Sequence, residues 1–200
     1  NMFSTFHSTA FNQNIGAWNV EKVTRMDQMF ISTPFNNGGS ADINNWRPIS
    51  CSDFSYMFQS AGAFNQPIGN WPLSASNISM ERMFNNATSF NQNLGAWDTS
   101  NVTNMAIMFQ GNGMLFNNGG SPDINNWNTS NVTDMRNMFW RSDFDQPVGN
   151  WDVSNVTNMA SMFLQTPFDQ NIGSWNVEKV TSFATMFYNR FNNGGSPDIN

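Results

Sequence analysis

Apolar side chains recur along the chain in one fixed order, at intervals of 24 to 30 residues. Each complete copy has a Met-Phe pair, then a Phe followed by Asn or Asp, then an aliphatic residue three positions before a Trp. The Met-Phe pairs are Met2-Phe3, Met29-Phe30, Met57-Phe58, Met83-Phe84, Met108-Phe109, Met138-Phe139, Met162-Phe163 and Met186-Phe187. The distance from Trp to the next Met is 11 residues in six copies, which indicates a constant backbone path. The pattern predicts a repeat protein.

Two short elements are predicted in each copy. The apolar positions of "VTNMAIMF" (residues 102–109) fall at i, i+3, i+6 and i+7, which predicts a short helical turn. The segment "FNQNI" is too short for a helix and predicts a strand of about three to five residues. One copy cannot bury its own Phe, Met and Trp side chains, whereas stacked copies can. We therefore expect a single repeat solenoid over residues 1–200, with about eight coils, one short parallel β-strand and one short helical turn per coil, incomplete at both ends.

Every third copy carries a longer connection. The distance from the second Phe to Trp is seven residues in most copies, but 11 residues in "FNNGGSADINNW" (35–46) and "FNNGGSPDINNW" (116–127). A third copy of this long form starts at Phe191, so the super-repeat is roughly 78 residues, or three coils. Long loops at one corner would project about 14 Å apart. We expect them to be interaction loops, formed by Asn36, Asn37, Gly38, Gly39, Asp42, Asn117, Asn118, Gly119, Gly120, Asp123, Asn192, Asn193, Gly194, Gly195 and Asp198.

Composition excludes several classes of function. Only 11% of the residues are charged, the net charge is −6, and the eight Lys and Arg residues form no basic cluster. This excludes a nucleic-acid surface, which needs concentrated positive charge. One Cys and one His exclude a disulfide framework and a zinc site of the usual kind. No apolar run reaches the roughly 18 residues of a membrane helix, so no membrane insertion is expected within this segment.

No catalytic constellation and no metal site are predicted. The loop carboxylates of Asp42, Asp123 and Asp198 recur beside Asn residues, so a calcium site is the alternative to a plain Gly-Pro turn. Calcium usually binds several carboxylates, however, and each loop supplies one. The plain turn without a cofactor is therefore preferred. Abundant Asn at the repeated turns predicts hydrogen bonds between stacked Asn side chains and neighbouring backbone groups.

The repeat unit "MF…FNQ.I..WD.SNVT.M" resembles the Mycoplasma-type surface-protein repeat, a family of unknown function related to BspA-like leucine-rich repeats. The resemblance covers essentially the whole chain. It implies a leucine-rich-repeat-like solenoid on secreted or surface-anchored proteins, linked in some members with adhesion or host contact. It implies no catalytic residues.

Three functional hypotheses remain. The first is a non-enzymatic extracellular or cell-surface rod, structural or adhesive, that associates with itself into fibres or binds a cell-surface or matrix partner. The second is a carbohydrate- or protein-binding module that uses one face, with Trp140 and Tyr188 as aromatic contacts because they lie outside the repeat consensus. The third is ice binding through a Thr column formed by Thr24, Thr103, Thr133, Thr157 and Thr181.

Overall fold

The computed structural model describes residues 1–188 and 191–197, in which successive copies of the repeat, called coils below, lie on one another in chain order. One residue of each coil forms a parallel backbone bridge with the equivalent residue of the next. These residues are Arg25, Asp53, Ser79, Asn104, Asp134, Asn158 and Ser182. In the third and fourth coils the bridge widens into two parallel strands, β1 (Ile78–Ser79) and β2 (Val102–Asn104), with an irregular register.

The segment predicted to be helical is a run of tight turns. The N–H groups of Met26, Gln28 and Phe30 each donate to a carbonyl of the next coil at 2.9 Å. The N–H group of Met29 closes a turn inside its own coil, and Gln28 has a φ of 60°. A right-handed helix tolerates neither the positive φ nor the loss of alternate N–H groups to a neighbour. The helical prediction for this segment is therefore wrong.

The predicted strand at "FNQNI" is also misplaced. Within the described residues this segment forms no backbone ladder, and the parallel pairing lies instead at the residue just before the apolar turn segment. The reason is that the Asn side chains of this segment make the contacts between coils that backbone groups make in a sheet.

The helices of the described chain are short 3₁₀ turns in the long coils. Their bounds are Asn37–Gly39, Ala41–Asn45, Asn118–Gly120, Pro122–Asn126 and Asn193–Gly195. The first turn of each long loop is left-handed, with φ values of 50° at Asn37, 61° at Gly38 and 83° at Gly39. Asn and Gly adopt this region at the lowest cost, which explains the repeated "NGG".

Two columns of stacked Phe rings fill the core. In the second coil Phe30 stacks on Phe35 with ring centroids 3.8 Å apart, and Phe30 lies 5.5 Å from its counterpart Phe58. The first column is formed by Phe6, Phe30, Phe58, Phe84, Phe109, Phe139, Phe163 and Phe187. The second is formed by Phe11, Phe35, Phe64, Phe90, Phe116, Phe144, Phe168 and Phe191. The rings of one coil thus cover those of the next.

A column of Trp side chains fixes the coils to one another. The indole N–H of Trp46 donates to the carbonyl of Ile15 in the preceding coil at 3.0 Å, and Trp71 donates to Ile43 at 2.9 Å. The same bond recurs at Trp97, Trp127, Trp151 and Trp175. A buried indole needs such an acceptor, so the aliphatic residue three positions before Trp supplies both core volume and a carbonyl.

The first coil shows that the Met-Phe pairs are not all equivalent. The N–H of Met2 donates to the carbonyl of Arg25 in the next coil, just as the N–H of Met26 donates to the carbonyl of Asp53. Met2 therefore corresponds to Met26. It is Phe6 that stacks on Phe11, at 3.8 Å. Phe3 is 48% exposed and lies under the Arg25 guanidinium. The predicted first copy at Met2-Phe3 is therefore wrong by three residues.

Among the described residues there is no helix of sufficient length and apolar character to span a membrane.

Candidate interaction surface

The long loops were predicted to project, but their first half folds onto the preceding coil. Asn37 is fully buried. Its Oδ1 accepts the N–H of Ile15 at 2.8 Å, and its Nδ2 donates to Ser40 O at 2.9 Å and to Asp42 Oδ1 at 2.8 Å. The second long loop repeats these bonds with Asn118, Leu94, Ser121 and Asp123. One buried amide thus anchors each of these loops to the coil before it.

The three buried amides do not form an exposed interaction surface. Asn37, Asn118 and Asn193 are each fully buried, and Asn193 accepts the N–H of Ile172 at 2.9 Å. Their prediction as contact residues is wrong because a buried side chain cannot meet a partner. Among the predicted loop residues, the glycine pairs Gly38-Gly39, Gly119-Gly120 and Gly194-Gly195 are exposed, as is Asn192. The last predicted loop residue, Asp198, lies outside the described residues.

The loop carboxylates accept hydrogen bonds from the preceding coil. Asp42 Oδ2 accepts from Asn14 Nδ2 at 2.9 Å, and a Cβ at Gly16 would overlap the Asp42 carboxylate. The bond from Asn14, with a second from Ser40, lowers the pKa of Asp42 below its ordinary value. Asp123 has the same surroundings: burial raises its pKa, but hydrogen bonds from side chains around it outweigh burial and lower it.

These amide bonds bear on the calcium alternative. Both oxygens of Asp42 and of Asp123 accept amide hydrogens, and a cation would have to displace them. Across residues 1–188 and 191–197, no three His, Cys, Asp or Glu side chains are placed to hold a metal ion. The absence of a cofactor stays a prediction.

The other predicted loop residues, Asn36, Asn117 and Asn192, belong to a ladder along the whole stack. Asn12 Oδ1 accepts the N–H of Asn36 at 2.7 Å, and Asn36 Oδ1 accepts the N–H of Asn65 at 3.0 Å. The ladder continues through Asn91, Asn117, Asp145, Asp169 and Asn192. Each side-chain oxygen replaces a backbone acceptor for the next coil. The predicted role of Asn in bonding coil to coil is confirmed.

The two predicted aromatic contacts lie in one column. Trp140 and Tyr188 each follow the Phe of the first aromatic column, with Leu164 at the same position in the coil between them. At one coil per about 4.8 Å, the two aromatic residues are about 10 Å apart. Tyr188 is 55% exposed, whereas Trp140 is half-buried, with the Arg141 guanidinium 5.2 Å from its ring centroid. Within the described chain, the indole N–H of Trp140 is buried without a hydrogen-bond acceptor.

The Thr column is continuous over four coils. The hydroxyls of Thr133, Thr157 and Thr181 each donate to the carbonyl of the Thr in the preceding coil, at 3.2, 3.1 and 2.9 Å. Ser79 belongs to the bridge column and not to the Thr column. The third coil has no residue at the Thr position. Ile78 pairs with Val102 and Ser79 pairs with Asn104, so Thr103 has no counterpart between them. The hydroxyl hydrogens are used inside the stack.

Sequence reasoning missed the residues that receive the long loops. Asn14 and Asn93 donate to the loop carboxylates, and Gly16 and Gly95 leave room for them. The signal was present: the copies before a long loop read "FNQNIGAW", "FNQNLGAW" and "FDQNIGSW", whereas the copies after one read "FNQPIGNW" and "FDQPVGNW". The three-coil period therefore involves the neighbours of the long loop as well as the loop.

The last described coil presents an apolar cavity of about 440 Å³. It is lined by Ile172, Trp175, Val177, Phe183, Met186, Phe187 and Phe191. In the coils below, the equivalent Phe, Trp and Met side chains are covered by the following coil. This end of the described stack therefore offers the same core surface that each coil offers to its successor.

Comparison with known proteins gives one finding. Neither the curated proteins nor the solved structures include a significant match. A family model described as "Mycoplasma protein of unknown function, DUF285" matches residues 1–79, 37–121, 75–142 and 113–196. The overlapping matches cover almost the whole chain and are consistent with its repeats, so the resemblance to the Mycoplasma repeat family is confirmed; the relation to BspA-like leucine-rich repeats stays a prediction. The chain belongs to the DUF285 family of Mycoplasma proteins of unknown function.

Proposed function

We propose that this chain is a non-catalytic segment of an extracellular or cell-surface protein and that it acts as a structural or adhesive rod. In this proposal the stack is a leucine-rich-repeat-like solenoid, whose partner is a cell-surface or matrix component or a second copy of the chain. The observation that carries the proposal is the Asn and Asp ladder, which passes through every coil from Asn12 to Asn192 without a break. At about 4.8 Å per coil, eight coils form a rod about 38 Å long.

The charge distribution supports a rod better than a catalyst. Among the described residues, most ion pairs lie within one coil or join neighbouring coils, as between Arg25 and Asp53 at 3.5 Å, so these charges stabilise the stack. The carboxylates with lowered pKa values, such as Asp98, are ionised acceptors in turns, since Asp98 is held by Ser100. General acid–base catalysis needs a group that titrates near the working pH. Carboxylates with a lowered pKa, such as Asp98, are not suited to this role.

Adhesion is tested directly with the chain on a surface. Beads coated with the folded chain are passed over host-cell layers and over purified matrix, beside beads coated with an unrelated acidic protein of similar size. We expect the coated beads to be retained several-fold above the control. Retention equal to the control on every surface would contradict an adhesive role.

Self-association is tested separately in solution. We expect the wild-type chain to associate with increasing concentration in analytical ultracentrifugation. A chain that stays monomeric at all concentrations would contradict fibre formation.

One observation favours glycan binding as a second candidate. Trp140, Leu164 and Tyr188 form an apolar column, beside which Arg141 Nε donates to Gln165 Oε1 at 2.6 Å. Aromatic rings with polar neighbours are the arrangement on which sugar rings stack. Binding on a glycan array that Tyr188→Ala removes and Tyr56→Ala retains would support this candidate; no bound glycan, or equal loss in both variants, would refute it.

A further inference from the structure

The chain contains four Asn-Gly dipeptides, and the structure separates them into two kinds. They are Asn37-Gly38, Asn112-Gly113, Asn118-Gly119 and Asn193-Gly194. An Asn followed by Gly is chemically labile, because no Cβ hinders attack of the Gly nitrogen on the side-chain amide carbon. The attack requires an accessible Asn side chain and a Gly nitrogen that is free to turn towards it.

The dipeptides in the long loops are held away from this reaction. Gly38 N–H donates to Asn12 Oδ1 at 3.1 Å, and Gly119 N–H donates to Asn91 Oδ1 at 2.9 Å. The Asn side chain before each Gly is fully buried, with its oxygen and its nitrogen both hydrogen-bonded. Asn193-Gly194 has the same buried side chain, and Gly194 N–H donates to Asp169 at 3.2 Å. Reaction at these positions requires the local stack to open first.

Asn112-Gly113 is placed differently. Both residues are exposed in a turn that Met114 N–H closes on Gly111 O at 3.2 Å. A Cβ built on Gly113 would meet nothing within 4 Å. Over the described part of the chain, neither the Asn112 side chain nor the Gly113 N–H makes a hydrogen bond. Within the described residues, no hydrogen bond therefore holds the two reacting groups apart.

We propose that Asn112 is a site of spontaneous covalent modification, at which the side-chain amide is lost through a succinimide. The Gly113 nitrogen gives up its proton to solvent and bonds to Asn112 Cγ. The Cγ–Nδ2 bond breaks, and the nitrogen leaves as ammonia with that proton equivalent. Water then adds to either carbonyl of the five-membered ring and opens it to aspartate or to isoaspartate. No oxidant and no enzyme are needed.

The surrounding turn can absorb the product. Six residues lie between Phe109 and Phe116, which is the longest connection between the two Phe columns, and this connection varies in length from coil to coil. The buried Met114 still bridges to Ser142 of the next coil and anchors the segment. Isoaspartate lengthens the backbone by one atom in a loop whose length already varies. The modification therefore adds one negative charge to the net charge of −6 without loss of the stack.

To test this, the full folded chain is incubated in mildly alkaline buffer. The rate of modification at each Asn-Gly dipeptide is then measured by peptide mapping with mass spectrometry. We expect a gain of one mass unit and an isoaspartyl product at Asn112 to appear at least about tenfold faster than at Asn37 or Asn118, because those two must open first. In concentrated urea the rates should converge, since the same dipeptide is then equally free. Circular dichroism of the modified chain should match that of the fresh chain.

One substitution serves as the control. Asn112→Gln should abolish the early product and leave the slow reaction at Asn37 and Asn118 unchanged. Comparable rates at all three positions in the folded chain would overturn the proposal, as would an unmodified Asn112 in folded protein that reacts readily in urea.

Discussion

Replacing Asn118 by Ala tests whether one buried amide holds a long loop to the coil before it. The Asn118 side chain makes three hydrogen bonds of 2.8 Å, from Leu94 N–H and to Ser121 O and Asp123 Oδ1. Each buried group left unsatisfied costs about 1–3 kcal/mol. Asn118 also has a φ of 50°, where Ala is less tolerated than Asn. Together these losses are about 3–6 kcal/mol, a large fraction of the 5–15 kcal/mol by which ordinary domains are stable.

The assay is urea unfolding followed by Trp fluorescence, combined with hydrogen exchange of the Leu94 amide. We expect Asn118→Ala to lower the unfolding midpoint strongly and to remove the protection of that amide. Asn126→Ala is the matched control, because Asn126 lies exposed in the same loop. Its midpoint should stay within the range of ordinary surface substitutions, about 0.5 kcal/mol. Equal midpoints for the two variants, or a Leu94 amide that remains protected in Asn118→Ala, would refute the anchoring role.

Three further predictions concern space, charge and the thiol. Gly95→Ala places a methyl group on the Asp123 carboxylate and should lower the free energy of unfolding in urea by about 1–3 kcal/mol. Gly62→Ala is the control, because its methyl group meets only a side chain at 3.4 Å, and it should leave stability unchanged. A larger loss in Gly62→Ala than in Gly95→Ala would contradict the packing. The pKa values of Asp42 and Asp123 are lowered, so their contribution is present above the ordinary pKa and lost as the pH falls through the folded value. Stability should decline below about pH 4, less so in the Asp42→Asn, Asp123→Asn double variant, and an identical decline would exclude these groups. Burial raises the pKa of Cys51 to about 12, so iodoacetamide should label it only after unfolding, and fast labelling of folded protein would contradict its burial.

The aromatic columns could be predicted from the sequence, but the backbone between them could not. Phe and Trp recur at fixed distances, and only stacking buries them, so their alignment follows from spacing. The turn segment contains apolar residues at intervals of three and four, which suit a helix and a run of β-turns equally well. The distinguishing feature is the positive φ at Tyr56, Arg82 and Ile107, with values of 61°, 56° and 62°. None of these residues favours that conformation, so local preference gave no signal, and the contacts between coils decide it.

The candidate loops were found from the sequence, but the orientation of their side chains was not. The pattern "NNGGSPD" marks a turn rich in Gly and Asn, which predicts exposure. Asn37 is buried because the N–H of Ile15, one coil earlier, lacks another acceptor at that point. Ile15 precedes Asn37 by 22 residues in the sequence. Local composition therefore could not distinguish the exposed glycines from the buried amide beside them.

The hydrogen bonds between a long coil and its two neighbours repeat with the same three-coil period as the long loops. In the first long coil, Asp42 accepts a hydrogen bond from Asn14 of the preceding coil and lies against Gly16 of that coil. On the other side, Asn44 accepts the N–H of Asn70 in the following coil at 3.0 Å. The second set repeats the last bond between Asn125 and Asn150 at 2.9 Å. A long coil therefore fits between two different short coils, and the order of the three is set by both neighbours. A partner that recognises the exposed glycine pairs consequently meets them about every 14 Å along the rod, whereas the aromatic core beneath them repeats at every coil.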